Sequence, residues 1–332
     1  MTITKISDVI VPEVFADYAL EKTRERSKLY KSGILVSDDR LNQLAVKGGV
    51  EVTIPFWKTL SGSDQVLSDT SPLTVSGIQA GVQKAHVLAR GNAWSSNDLA
   101  KAFSGSDPMG AIAVQTADWW NQQYQNTLLS ILKGVFATAL ATSHTVSLGE
   151  AKIDATSFVD AQKVLSDAGD ELSAIYMHSD VYYDMIKKGL ITFEALDSTN
   201  KVVELKNYAG SFNANPQVPT FNGMAILHEK NASLLSAGVY STYVFKKSAI
   251  GMGDANAPVP VETDREKLAG NDFLIMRRHY LLHPYGLSFN ASAGTAIVGS
   301  SPTNAELEAG AKWTKVVSDD RDIGIVRITS KG

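Results

Sequence analysis

The stretch SDPMGAIAVQTADWWNQQYQNTLLSILKGVF, residues 106–136, decides how the rest of the chain is read. Asp107 is placed to cap a helix, and Pro108 suits its first turn, where an amide hydrogen has no helical partner to lose. From there Ile112, Ala113, Ala117, Trp120, Tyr124, Leu128, Ile131, Leu132, Val135 and Phe136 recur at steps of three and four, the period of one amphipathic helix. Roughly thirty residues rise about 45 Å, far beyond the usual helix of about 11–12 residues. No heptad with flanking charges accompanies the pattern and its apolar face carries aromatics. It therefore reads as a spine lying across a sheet and not as a coiled coil.

Upstream, Val50, Val52, Ile54 and Phe56 recur with period two, which predicts a strand with one apolar face, and Pro55 marks an edge or an end. A polar tract over 58–71 separates it from a second extended segment over 73–90, carrying Val75, Ile78, Val82, Val87 and Leu88. Together they predict a long hairpin with a tip of about a dozen residues, long for a compact domain. A two-stranded ribbon buries too little to offset its ordering entropy, so it needs a further surface, such as another subunit. Residues 12–30 predict a charged helix with one narrow apolar side, which needs a partner in the same way.

Downstream, a linker is expected over 142–154. Ser157 then caps a short helix stopped at Gly169, a buried strand runs over 172–178, and Ser179 caps a helix stopped at Gly189. Strands are expected at 224–228, 240–245 and 272–282, with Gly- and Pro-bearing turns between them. The sum is an α+β architecture.

With 44% apolar and 20% charged residues, 332 residues can bury a sizeable core, and a formal charge of -4 gives no basic stripe for sequence-specific nucleic-acid recognition. The chain has no cysteine, which removes disulfides, thiolate metal sites and cysteine nucleophiles together and fits a reducing compartment. Its first residues lack a signal-peptide pattern and no apolar run spans a membrane, so the expectation is a chain made and used in a cytoplasm, with no membrane partner.

Candidate chemistry reads mostly as structure. Gly251 and Gly253 stand at dinucleotide-loop spacing, but the third glycine is missing and Pro258 follows where a helix should begin. His279 and His283 are four apart in a segment that reads as a strand, where they lie about 13 Å apart, too far for one metal ion. His178, Ser179 and Asp180 are adjacent on a turn, so they do not converge on one reacting atom as a hydrolytic triad does. Trp119 and Trp120 point to different sides of the spine, one as core and one resting on a neighbouring element. Arg277-Arg278, Lys246-Lys247 and Lys187-Lys188 read as solvated charge. No catalytic, cofactor or metal site is predicted.

Charged amino-terminal helix, long two-stranded loop, spine helix, α+β region and returning strands follow one another in an order that resembles the major capsid proteins of tailed double-stranded-DNA bacteriophages, the Hong Kong 97-like fold. Gly49-Val50-Glu51-Val52-Thr53-Ile54-Pro55-Phe56-Trp57, followed by Gly62, is similar to the rising strand of that family's extended loop, and Ala89-Arg90-Gly91-Asn92-Ala93-Trp94-Ser95 to its return. Asp98-Leu99-Ala100 through Asp107-Pro108-Met109 to Gly134-Val135-Phe136 resembles the approach and body of the spine helix. Met177-His178-Ser179-Asp180-Val181-Tyr182 resembles the core of the axial (apical) domain; Asp272-Phe273-Leu274-Ile275 and His283-Pro284-Tyr285-Gly286 resemble the peripheral-domain strands.

The resemblance implies an N-terminal arm over 1–47, an extended β-hairpin loop over 48–96 and a spine helix of the peripheral domain over 97–142. It further implies an axial domain over 143–270, and peripheral-domain strands with a C-terminal tail over 271–332. It implies a homo-oligomer of hexamers and pentamers in an icosahedral virion shell that encloses double-stranded DNA by non-specific contact and is assembled in the bacterial cytoplasm. With about fifty residues before the loop, a separate scaffolding protein is expected, alongside a portal and possible decoration proteins. Some members join a loop lysine to an asparagine of another subunit; Lys58 and Asn290 are of those types, but no motif locates the reaction and none is predicted. Two alternatives stay open: a bacterial nanocompartment shell, and a soluble enzyme working through His178 or His283.

Overall fold

The computed structural model describes residues 33–332 apart from 47–48, 59, 61–62, 68–71, 76, 99–107, 197–201, 204–216, 231–233, 237 and 256. The expected helix over 12–30 and the expected cap Asp107 lie outside the described residues. In chain order the first elements are β1 (Leu35–Ser37), α1 (Asp39–Val46), β2 (Glu51–Trp57), β3 (Ala80–His86), β4 (Leu88–Asn97) and α2 (Pro108–Ala137). Then come β5 (Thr145–Lys152), α3 (Ala155–Val164), β6 (Leu172–His178), α4 (Ser179–Lys187), β7 (Thr192–Leu196), β8 (Val202–Val203), β9 (Gln217–Phe221) and β10 (Met224–Glu229). The remainder are β11 (Leu234–Ser236), β12 (Val239–Lys246), β13 (Ile250–Ala255), β14 (Val261–Glu266), β15 (Asn271–Pro284), β16 (Leu287–Phe289), α5 (Asn304–Glu308), β17 (Trp313–Lys315) and β18 (Ile325–Lys331).

The expected spine is α2, a helix of 30 residues. Trp120, Tyr124, Leu128, Ile131, Leu132, Val135 and Phe136 are buried along it, as the three-and-four spacing requires, and Val114 on the other side is exposed. Gly134 lets another element come close: a β-carbon there would stand 2.0 Å from the Leu307 carbonyl oxygen, in α5, and 2.7 Å from the Trp313 indole nitrogen.

Among the described residues the larger sheet has nine strands in the order β5-β18-β12-β6-β10-β9-β7-β8, with β11 beside β12. Its strands alternate between two cores. Ala174, Tyr176, Tyr243, Phe245 and Ile325 belong to the core that contains α2. Ile175, Met177, Val244, Val326 and Ile328 pack with Phe158 of α3 and Val181 and Met185 of α4. Covering both faces explains why β6 and β12 read as nearly continuous apolar runs.

A second sheet is built on β15, which pairs with β4 along one edge and with β14 and then β13 along the other; β1 continues the sheet beyond β13, in parallel. α1 lies over β13 because Gly251 and Gly253 have no side chains there. A β-carbon on Gly251 would stand 2.6 Å from Leu41 Cδ1, and one on Gly253 3.0 Å from Leu41 Cβ. Those two glycines serve helix-on-strand packing, not a phosphate loop.

Several expectations are corrected in detail. Residues 142–154 are not all linker, because 145–152 form β5, parallel to β18. Asp154, not Ser157, is the N-cap of α3; Asp154 Oδ1 accepts from the Ser157 N–H at 3.1 Å while Ser157 Oγ accepts from the Asp154 N–H at 3.2 Å. His178, not Ser179, caps α4, its Nδ1 accepting from the Asp180 N–H at 3.1 Å.

Candidate assembly surfaces

β2 and β3 pair antiparallel from Glu51 with His86 to Trp57 with Ala80, so the hairpin is present and its connection runs over 58–79, longer than the expected tip. Its root has a partner within the subunit. Val52, Ile54, Ala85 and Val87 are buried with Leu41 of α1 and Leu281 of β15. The opposite edge at Pro55 is used as well, its carbonyl accepting from Arg40 Nη2 at 3.0 Å.

Further out the apolar side chains are bare. Trp57 is 68% exposed, Val66 94% and Val75 93%, with Leu60, Leu67, Leu73 and Ile78 also exposed. The two limbs are nevertheless ordered against each other. Gln65 uses its side-chain amide as a strand uses its backbone, donating to the Thr74 carbonyl at 2.9 Å and accepting from the Thr74 N–H at 2.8 Å. Nearer the root the Phe56 ring fills the place where a β-carbon of Gly81 would stand. Single exposed apolar residues are ordinary, but seven of them among the described residues of one ribbon make it a candidate interaction surface.

The candidate chemical residues are not brought together into a reactive site. His283 is buried, its Nε2 3.2 Å from Gln83 Oε1, and burial pushes its pKa down to about 4, so the ring is a neutral structural group. His279, four residues before His283 on β15, pairs in register with Ala255 of β13. His178, besides capping α4, stacks on Tyr240 with ring centroids 4.4 Å apart, and the Tyr240 hydroxyl donates to Asp180 at 2.7 Å. The role of this trio is to fix the start of α4. Among the described residues no three His, Asp or Glu side chains form a group that could hold a metal ion.

Trp120 is fully buried, and Trp119 rests edge-on against Trp94 of β4 at 5.2 Å, as their adjacency on a helix predicts. The paired arginines divide. Arg277 bridges Glu262 at 2.9 Å on the surface, but Arg278 is only 9% exposed, lies 4.8 Å over the Trp120 ring and donates to the Tyr124 hydroxyl at 3.2 Å. Solvated charge is therefore wrong for Arg278, whose guanidinium stacks under the spine. Lys246 pairs with Glu171, Lys187 with Asp184, and Lys188 donates to the Ile153 carbonyl.

What remains is a mixed α/β body with a two-stranded ribbon. Residues 105–326 match the Gp13-like family, described as major capsid protein 13-like. The major capsid protein of Bacillus phage SPP1 is 37% identical over 336 residues, covering 98% of both chains. The chain belongs to the Gp13-like major capsid protein family.

Solved structures carry the same fold at low identity. The capsid of cyanophage Pam1 aligns with a TM-score of 0.56 at 11% identity over 87% of both chains. The capsid of Ralstonia phage GP4 aligns with 0.56 at 8% identity over 92% of both. A Gp13-like capsid protein is a structural component of a tailed-phage virion, and the nanocompartment reading is not favoured. The resemblance was carried by the order of elements along the chain. The ribbon's exposed residues were legible only in part, because apolar residues of the same types, Val among them, stand in both the buried root and the bare tip.

Proposed function

We propose that this capsid protein assembles as hexamers and pentamers of an icosahedral head that encloses double-stranded DNA, with the ribbon of each subunit lying over its neighbour. The observation that supports it most directly is the contrast along the ribbon. Val52 and Ile54 are buried in the subunit's own body while Trp57, Val66 and Val75 are bare. Apolar surface of that extent is covered in the working state of a soluble protein, and repeated copies of one chain supply the cover.

In this reading the arm expected over 1–47 reaches across subunits with the part that precedes β1, since β1 and α1 pack in the subunit's own body, and the extended loop expected over 48–96 projects with β2 and β3, since β4 returns into the β15 sheet. The spine over 97–142 and the β15 sheet make the peripheral domain. The axial domain, expected over 143–270, is centred on the nine-stranded sheet with α3 and α4. A separate scaffolding protein, a portal and decoration proteins are the further partners. Assembly takes place in the host cytoplasm, and the net charge of -4 leaves contact with packaged DNA non-specific.

Deleting residues 60–72 tests the proposal. The shortened subunit is expected to fold, since this segment adds little to its own core, and to form no rings or shells by electron microscopy under conditions where the full chain does. Loss of soluble folded subunit on that deletion, or a full chain that stays strictly monomeric at high concentration with and without scaffold, overturns it.

A further inference from the structure

The segment from Asn290 to Asn304 has almost no regular structure, yet it is fastened at both ends of its path. The Lys312 ammonium donates to the carbonyls of Ala291 at 3.0 Å, Ala293 at 3.2 Å and Thr295 at 2.6 Å. Further along, Glu306 accepts from the Val298 N–H at 2.9 Å and the Thr303 N–H at 2.7 Å. The segment then crosses the first residues of β4. Ser301 Oγ accepts from the Ala89 N–H at 3.0 Å, and Arg90 Nη2 donates to the Pro302 carbonyl at 2.5 Å and to Asn304 Oδ1 at 3.2 Å.

Ala89 and Arg90 are the second and third residues of β4, opposite His279 and Arg278, where the chain has left the ribbon at His86 and entered the β15 sheet. A second set of contacts grips β3 itself. Gln83 Oε1 accepts from the Gly286 N–H at 3.4 Å and faces His283 Nε2 at 3.2 Å, and Ser288 Oγ accepts from the Lys84 N–H at 3.1 Å. A ribbon held only by one apolar root would sweep through a cone, and each copy would lose that freedom on docking. Fixing its direction beforehand removes that entropy cost from every contact in a shell.

We infer that the strap over 290–304, together with the Gln83 contacts, is a lock that sets the angle at which the ribbon leaves the body. Arg90 is its positioning residue. The inference rests on the reading of the ribbon as an intersubunit grip.

The absence of cysteine allows a clean test, because Ala89→Cys with Ser301→Cys introduces one defined thiol pair between strap and ribbon exit. Closure of shells by purified protein is scored by electron microscopy, the melting temperature is measured on the unassembled subunit, and the disulfide is confirmed by mass. Arg90→Met keeps the stem and removes both strap bonds, together with the Arg90 bond to the Tyr280 hydroxyl, which Thr127 still partners at 3.2 Å. It is expected to leave a folded subunit and to lower the yield of closed shells about tenfold, with malformed shells in their place. Oxidising the staple in that background restores the yield, and reducing it removes the gain. A folded Arg90→Met subunit that closes shells as the unsubstituted chain does overturns the inference. So does an oxidised staple that blocks closure in the otherwise unaltered chain, since the strap must then open; this arm stands even if Arg90→Met does not fold. If the unsubstituted chain forms no shell either alone or with its scaffold, it is the grip reading that fails.

Discussion

The Lys312 ammonium lies 2.6 Å from the Thr295 carbonyl oxygen, and its residue is only 2% exposed. With Ala291 and Ala293 supplying two further carbonyls, an amine does here what a bound cation does elsewhere. Removing it strands those carbonyls, at about 1–3 kcal/mol for each that water does not reach. Lys312→Met is therefore expected to lower the urea midpoint of the subunit clearly and to open 290–304 to protease. A midpoint and a cleavage pattern unchanged from the native chain would show that the three bonds contribute nothing.

Acid is expected to destabilise the subunit through His283. Burial holds its folded pKa down at about 4, against about 6.5 for an unfolded histidine. A depressed folded value means that the unfolded chain takes up the proton first, so this stability is complete above about pH 6.5 and is lost as pH falls towards 4. The full span is about 3 kcal/mol. His86 and His144 are shifted the same way by burial and add to the slope. Urea midpoints between pH 7.5 and pH 4.5 should fall less steeply in His283→Gln, and an identical slope would remove His283 from the account.

Gly134→Ala sets two effects against each other. Alanine gains about 1 kcal/mol of helix propensity over glycine. The added carbon, however, meets the backbone carbonyl of Leu307 at 2.0 Å, and Trp313 already holds that carbonyl with a hydrogen bond of 2.8 Å. Backbone cannot rotate away as a side-chain tip can, and overpacking costs typically about 1–3 kcal/mol or more. Net destabilisation is expected in the melting temperature; a stabilised variant would mean that α5 moves freely off the spine.

Serine at Val66, Leu67 and Val75 together should behave in the opposite way. These side chains are almost fully exposed in the single subunit, so stability should stay within about 0.5 kcal/mol per site. Shell formation should drop sharply. Equal assembly by the triple variant, scored by light scattering, would place the grip elsewhere.

Elements with a sustained period were legible in the chain: α2 over thirty residues, and β6, β10, β12 and β15 as apolar runs. The rest was hidden for particular reasons. β5 is half exposed, and Gly149 at φ +60° interrupts it, so no alternation survives. β13 carries Gly251 and Gly253, which look like a turn until α1 is seen resting on them. The caps of α3 and α4 are Asp154 and His178, not the serines at 157 and 179. Asp154 and Ser157 bond reciprocally, so either can be taken for the cap, and His178 accepts through a ring nitrogen that is seldom counted as a capping group. Arg278 could have been found, since neighbours on a strand face opposite sides and one of the pair had to point inward. Lys312 gave no signal at all, because its partners are carbonyls in a stretch without pattern.

β18 sits between β5 and β12, although it emerges from the ribosome after both of them. Until Ile325–Lys331 is delivered, β12 keeps an open edge and β5 has no neighbour, so the large sheet is unfinished at one side. A nascent chain therefore has no finished body to present while the ribbon, translated far earlier, is already out. Timing of synthesis thus withholds a competent building block until the closing strand is made, and a polypeptide released before residue 325 is expected to be a substrate for chaperones and proteases, not a faulty brick in the wall.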